Sequence, residues 1–144
     1  MTARALYVEV FGAAMRECRT ERGRSQEQVA AVLGITHATY SRLETGKAVP
    51  NLVQLRRVAV ELGVGLEDLL AVTEEAKRVL EKAGVLVLEE APYAVPRGAS
   101  PKAEVHQIRA AVILAFTRVK YAKLQAHKAK HHAAEHAHVT VRNK

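Results

Sequence analysis

The sequence predicts a mainly α-helical protein, on three observations. Along most of the chain, apolar side chains recur three and four residues apart, the spacing of one helix face. Glycine closes one such stretch after another, and Ser25 and Thr36 stand where helix N-caps are wanted. Tryptophan is absent and aromatics make up only 4% of residues, so aliphatic residues and alanine supply most of the apolar content. That composition suits helices packed on helices with little strand.

Residues 5–22 read as the first helix. Leu6, Val10, Ala14 and Cys18 step by four, Val8, Phe11 and Met15 widen the stripe, and Gly23 stops it. Ser25 caps the second helix, and Gln28 three residues later completes a capping box. Val29, Ala30 and Leu33 form its apolar face, and Gly34 ends it. Thr36 caps a third helix over 37–44, which Gly46 closes. After the loop "KAVPN", Leu52, Leu55, Val58, Ala59 and Leu62 mark a fourth helix, and "LEDLL" a short fifth. The second and third helices are joined only by Gly34, Ile35 and Thr36, the spacing of a helix-turn-helix. Ile35 is placed to fill the angle between them, and Ala30 is small enough for close approach.

The third helix is unusual. Tyr40 and Leu43 share one face and pin it to the domain, while His37, Ala38, Thr39, Ser41 and Arg42 leave the rest polar or small. Helix N-termini offer free N–H groups and a positive dipole end to anions. Gln26 and Thr36 sit at two such ends, Lys47 and Asn51 flank the following loop, and Arg24 is a further cation. These five are the candidate phosphate contacts, which set register without carrying sequence information directly.

With "SQEQVAAVLGIT", "YSRLETGKAVPN" and "LVQLRRVAVELGVGLEDLL", residues 10–70 resemble the lambda-repressor/Cro (XRE) class of DNA-binding domain. The resemblance implies a five-helix lambda-repressor-like fold and a double-stranded DNA partner. It implies that the first, second and sixth residues of the third helix, His37, Ala38 and Arg42, reach base edges. An arginine can hold guanine O6 and N7 together, and an alanine can pack on a thymine methyl. Thr39 is placed to touch base or backbone. The family often pairs an arginine late in the first helix with a glutamate ending the third, which here implies an ion pair of Arg19 with Glu44.

The second half is expected to be a mostly helical dimerisation region with a possible short β-strand. Thr73 is read as the cap of a helix over 73–83. From Gly84 two readings stay open: "VLVL" as a buried strand, or a helix running on to Ala91. "APYAVPRGASP" is an extended connector. A long helix then runs from about Lys102 to Ala129 or beyond. Val105, Ile108, Val112, Ala115 and Val119 step by three and four as a heptad-like seam, and Phe116 adds to a second apolar side. Such a helix packs on the 73–91 segment, on a copy of itself, or on both. The implied division is a DNA-binding domain over 1–71, an oligomerisation region over 72–129 and a basic, histidine-rich tail over 130–144.

Charge is uneven. The chain carries +7; residues 1–70 hold 9 Lys/Arg against 8 Asp/Glu, and residues 71–144 hold 13 against 7. A basic second half can add non-specific attraction to an acidic polymer. In the tail, His127, His131 and Glu135 recur at i, i+4, i+8, a spacing that can hold a divalent metal. No cysteine adds to that set, a solvated or DNA-tracking tail is preferred, and no cofactor or metal is implied. The single cysteine, Cys18, forms no internal disulfide and places the chain in a reducing cytoplasm. The longest strictly apolar run of the second half, Ala110–Phe116, is far short of the about 20 residues of a membrane span.

No enzyme is expected. Some lambda-like repressors carry a self-cleaving serine–lysine domain, and Ser100 with Lys102 supplies the letters. The 74 residues after position 70 are too few for that domain, and no other catalytic constellation appears. The expected function is a dimeric, sequence-specific repressor reading a palindrome in the major groove. The alternative is an antitoxin-type protein whose second half binds and neutralises a partner protein.

Overall fold

The computed structural model describes residues 3–90 and 101–142, with the side chains of 121, 124 and 138–142 excepted. In chain order the elements are β1 (Ala3–Leu6), α1 (Tyr7–Glu21), α2 (Gln26–Leu33), α3 (His37–Glu44), α4 (Leu52–Glu61), α5 (Leu66–Lys82), β2 (Val85–Leu88) and α6 (Val105–Arg142). The fold is mainly α, as expected, with one two-stranded sheet.

Local chemistry accounts for the starts of α2, α3 and α4. Ser25 Oγ accepts the Gln28 N–H at 3.1 Å and Gln28 Oε1 accepts the Ser25 N–H at 2.9 Å, the reciprocal capping box. Thr36 caps α3 by accepting the Thr39 N–H. Asn51 and Gln54 form a second capping box at α4. Gly34 ends α2 with φ of 69°, a left-handed conformation that a side chain disfavours.

Three expectations are corrected. Residues 5 and 6 are not helical: with residues 3 and 4 they form β1, which pairs in parallel with β2 in the register Ala3↔Val85 to Leu6↔Leu88. That pairing settles Gly84 as the end of a helix and "VLVL" as a strand. The "LEDLL" turn and the 73–83 helix are one helix, α5, and position 71 lies in its middle. Thr73 is no cap; it is buried within α5, and its hydroxyl donates to the Leu69 carbonyl at 2.9 Å. The long helix expected from about Lys102 to Ala129 or beyond is α6, which begins at Val105 and runs to Arg142, so most of the basic tail is helical. Residues 91–100, most of the expected connector, and with them Ser100, lie outside the described residues.

One core unites both halves. Val10, Ala14 and Met15 of α1 meet Tyr40 and Leu43 of α3, Val58 and Leu62, and Leu69, Val72, Ala76 and Leu80 of α5. Ala111, Val112 and Ala115 of α6 complete it, since α6 packs on α5 and α1. Gly12 is needed on α1, because a Cβ there would stand 2.4 Å from the Glu44 carbonyl oxygen. The backbone of α1 therefore lies directly against the end of α3.

Candidate nucleic-acid interface

The candidate surface is built on α3 and the two helix starts beside it. Tyr40 and Leu43 are buried, while His37, Ala38, Thr39 and Arg42 are exposed and Ser41 is half-buried. The split of this short helix into an anchoring face and a free face thus follows the sequence pattern. The Tyr40 hydroxyl is buried without a hydrogen-bond partner among the described residues. Burial, with the Glu44 carboxylate nearby, pushes its pKa above the ordinary phenol value.

Behind α3, Arg19 and Glu44 form a buried pair. Arg19 Nε donates to Glu44 Oε1 at 2.5 Å and Nη2 donates to Oε2 at 3.1 Å. The hydrogen bond to Glu44 raises the guanidinium pKa above its usual value. A third donor, Gln26 Nε2, reaches Glu44 Oε2 at 2.8 Å. The other end of the same amide, Oε1, lies 2.8 Å from His37 Nε2, and an amide oxygen only accepts, so the Nε2–H donates there. His37 Nδ1 is 3.5 Å from Glu27 Oε1. The Glu27 carboxyl is held below its usual range, first by its own backbone N–H and then by His37. A continuous chain thus runs from the interior at Arg19, through Glu44 and Gln26, to the first residue of the exposed face.

The other expected phosphate contacts divide. Arg24 is spent on an ion pair with Glu61 of α4. The Thr36 hydroxyl is engaged as the α3 cap and lies 2.8 Å from the Thr39 hydroxyl. Asn51 uses Oδ1 as the α4 cap, and its side-chain N–H groups have no partner among the described residues. Lys47 is exposed in the loop and carries no ion pair among the described residues. Gln26 is the expected contact whose position the sequence least explains, because its partners come from two other helical positions 11 and 18 residues away.

The heptad-like seam is largely occupied within the chain. Ile108, Val112 and Ala115 are buried against α5 and α1, and Phe116 and Val119 pack partly on the same core. They are therefore not open to a second copy in this conformation. Val105 is 62% exposed, and the other side of α6 shows Ile113 and Leu114 at 51% and 41%. The dock is closed by ion pairs, Arg118 with Glu75 at 2.9 Å and Lys120 with Glu21 at 3.3 Å. Arg118 and Arg78 together hold the Glu75 carboxyl below its usual range. Leu52, expected in the core stripe of α4, is instead 74% exposed beside Val49 and Val53.

Among the described residues, no group of three or more His, Cys, Asp or Glu side chains is arranged to hold a metal. His127 and His131 meet edge to face with ring centroids 4.5 Å apart, and His132 and His136 do so at 4.7 Å. No helix of the described residues is long and apolar enough to cross a membrane.

Comparison with known proteins matches the first half. The helix-turn-helix family profile covers residues 15–69. The SPbeta prophage-derived uncharacterized HTH-type transcriptional regulator YonR of Bacillus subtilis is 43% identical over 61 residues, which are 42% of this chain and 56% of YonR. The match thus spans little more than half of that relative. An uncharacterized HTH-type transcriptional regulator of Methanothermobacter thermautotrophicus is 35% identical over 65 residues, 44% of this chain and 94% of that protein. The crystal structure of the clp gene regulator ClgR of Corynebacterium glutamicum aligns with a TM-score of 0.45 and 28% identity, over 55% of this chain and 95% of that one. With nearly the whole of the Methanothermobacter regulator matched, and with α2, the turn and α3 inside the matched span, this chain belongs to the XRE-type helix-turn-helix family.

Proposed function

We propose that this chain is a sequence-specific DNA-binding transcriptional regulator of the cytoplasm, acting as a dimeric repressor that reads a palindromic operator with α3 in the major groove. One observation carries the reading. α3 buries Tyr40, Leu43 and the paired Glu44, and offers His37, Ala38 and Arg42 on an exposed face flanked by the starts of α2 and α3. Such a face has no role in packing and has the donor and acceptor types that base edges require. The regulator names of its relatives agree with it. Two copies would place their α3 helices about 34 Å apart on successive major grooves. Because much of the seam on α6 is occupied, the dimer contact falls to exposed apolar side chains such as Ile113 and Leu114. Repression would follow from occupying a promoter.

The test is selection of binding sites from a random duplex pool by the full-length protein at near-physiological salt. Enrichment of a palindrome supports the reading, and its half-site spacing gives the distance between the two α3 helices. Binding with no enriched site, lost as salt rises, would overturn it and leave only electrostatic attraction.

The same exposed Ile113 and Leu114 favour a second reading, an antitoxin-type protein whose α6 is covered by a partner protein. A dimer that binds DNA with that face already closed by its own copy would dispose of this alternative.

A further inference from the structure

A cleft of about 230 Å³ joins the helix-turn-helix to the second half of the chain. Its walls include Gln26 at the start of α2, Thr45 at the end of α3, and three cations, Arg16 of α1, Lys102 and Arg109. The backbone brings the last two there. Arg4 of β1 donates its N–H to the Pro101 carbonyl at 2.9 Å, and the Ala103 N–H donates to the Arg4 carbonyl at 2.7 Å. Lys102 is thereby fixed beside β1, and α6 starts three residues later and presents Arg109 from its first turns.

The charge in this cleft is unbalanced. Two carboxylates also line it, Glu9 and Glu44. Glu44 is already neutralised by Arg19, and Glu9 turns back to accept the Leu6 N–H at 3.1 Å. None of Arg16, Lys102 and Arg109 is paired with a carboxylate among the described residues. Three unpaired cations converging on one cleft repel one another, and an anion that bridges them relieves that repulsion. Arginine grips phosphate with a planar fork and lysine as a point charge.

We infer that this cleft binds the DNA sugar-phosphate backbone, with Lys102 and Arg109 extending the phosphate contacts of the helix-turn-helix beyond the family domain. The inference rests on the DNA-binding reading proposed above. The occupant is a phosphodiester strand because the cleft is continuous with Gln26 and Thr45, at the edge of the surface that α3 would bring to the groove. Lys102 and Arg109 lie outside residues 15–69, so the second half of the chain would not be a passive appendage. It would add affinity without sequence preference.

The experiment compares the salt dependence of operator binding for the full-length protein and three double variants. Each neutralised phosphate contributes about 0.9 to the slope of log K against log salt. Lys102→Gln with Arg109→Gln is expected to reduce the slope by about 2 and affinity at physiological salt by roughly tenfold or more, with the selected sequence unchanged. Lys102→Arg with Arg109→Lys is expected to keep the slope. Lys77→Gln with Lys82→Gln removes the same charge from α5 and is expected to leave the slope nearly as it was. Both side chains of the first variant are exposed, so its melting temperature is expected to match the wild type. A wild-type slope in that variant, or an equal fall in the α5 variant, overturns the inference while the selected operator leaves the DNA-binding reading standing. A changed base preference overturns it too, by making these residues base readers. Failure of the wild type to bind any duplex overturns both.

Discussion

Arg19 and Glu44 hold α1 and α3 together through two parallel hydrogen bonds, in a site where little of either side chain reaches solvent. The pair sits where the α1 backbone, at Gly12, touches the end of α3, so the angle of α3 depends on it. Removing one partner of a buried pair leaves the other charge uncompensated and costs about 3–5 kcal/mol. Glu44→Ala is therefore expected to destabilise the protein by about that amount in urea unfolding. Arg19→Met combined with Glu44→Leu is expected to recover much of the loss. A single variant that unfolds at the wild-type midpoint would show that packing at Tyr40 and Leu43 suffices without the pair.

Gln26 couples that buried pair to the exposed surface, because one amide serves both Glu44 and His37. Gln26→Ala releases the His37 ring while leaving the Arg19 pair in place. The expected outcome is a stability loss of about 1 kcal/mol with operator affinity down about fivefold or more. Fluorescence anisotropy with a labelled operator reads the second effect. Equal affinity for the variant would mean that His37 needs no support from α2.

Arg42 is exposed and its guanidinium takes part in no ion pair among the described residues. It is thus available for a guanine. Arg42→Ala is expected to cost roughly 1–3 kcal/mol on the selected operator and to relax preference at one position of each half-site. Uniform weakening on all sequences would instead make Arg42 a phosphate contact.

The helix-turn-helix was legible because its signals are local. Ser25 with Gln28, Thr36, Gly34 and the Tyr40–Leu43 pair each act within a few residues. β1 was not legible, since four residues gain their strand geometry from Val85–Leu88, some 80 positions away. Thr73 misled because a threonine before acids reads as a cap, whereas inside α5 it bonds back to Leu69. The seam on α6 showed which face is apolar but not what covers it; periodicity is the same for a partner within the chain and for a second copy. In the site, the free face of α3 could be read from residue types. The engagement of Gln26, and the loss of Arg24 to Glu61, depend on three-dimensional neighbours.

Cys18 lies in the core face of α1, and burial, with Glu21 close by, pushes its thiol up to about 12. An unfolded thiol ionises near about 8.5. Above that pH the unfolded chain loses a proton that the folded chain keeps, so the unfolded state binds fewer protons and stability falls as pH rises. This contribution is intact below about 8.5 and declines from there towards about 12. Native protein at pH 8.5 is expected to alkylate slowly with iodoacetamide, and urea-unfolded protein quickly. Rapid labelling of the native state would place the thiol at the surface.

Ile108 decides whether α6 is part of the same folding unit as the helix-turn-helix. It is buried, as are Val112 and Ala115 farther along the same face, and α6 packs on both α1 and α5. Truncating it leaves a cavity in a core that α1 shares with α3, and large-to-small changes of this kind cost about 2–5 kcal/mol. Ile108→Ala is therefore expected to lower the midpoint of one cooperative transition, followed together by helix content and by amide protection in α1. An appended dimerisation arm would behave otherwise. It would melt alone, leaving α1 as protected as in the wild type. A change in native mass without loss of monomer stability would likewise assign Ile108 to a contact between copies. Coincident loss of protection in α1 and α6 is the outcome that their shared core requires.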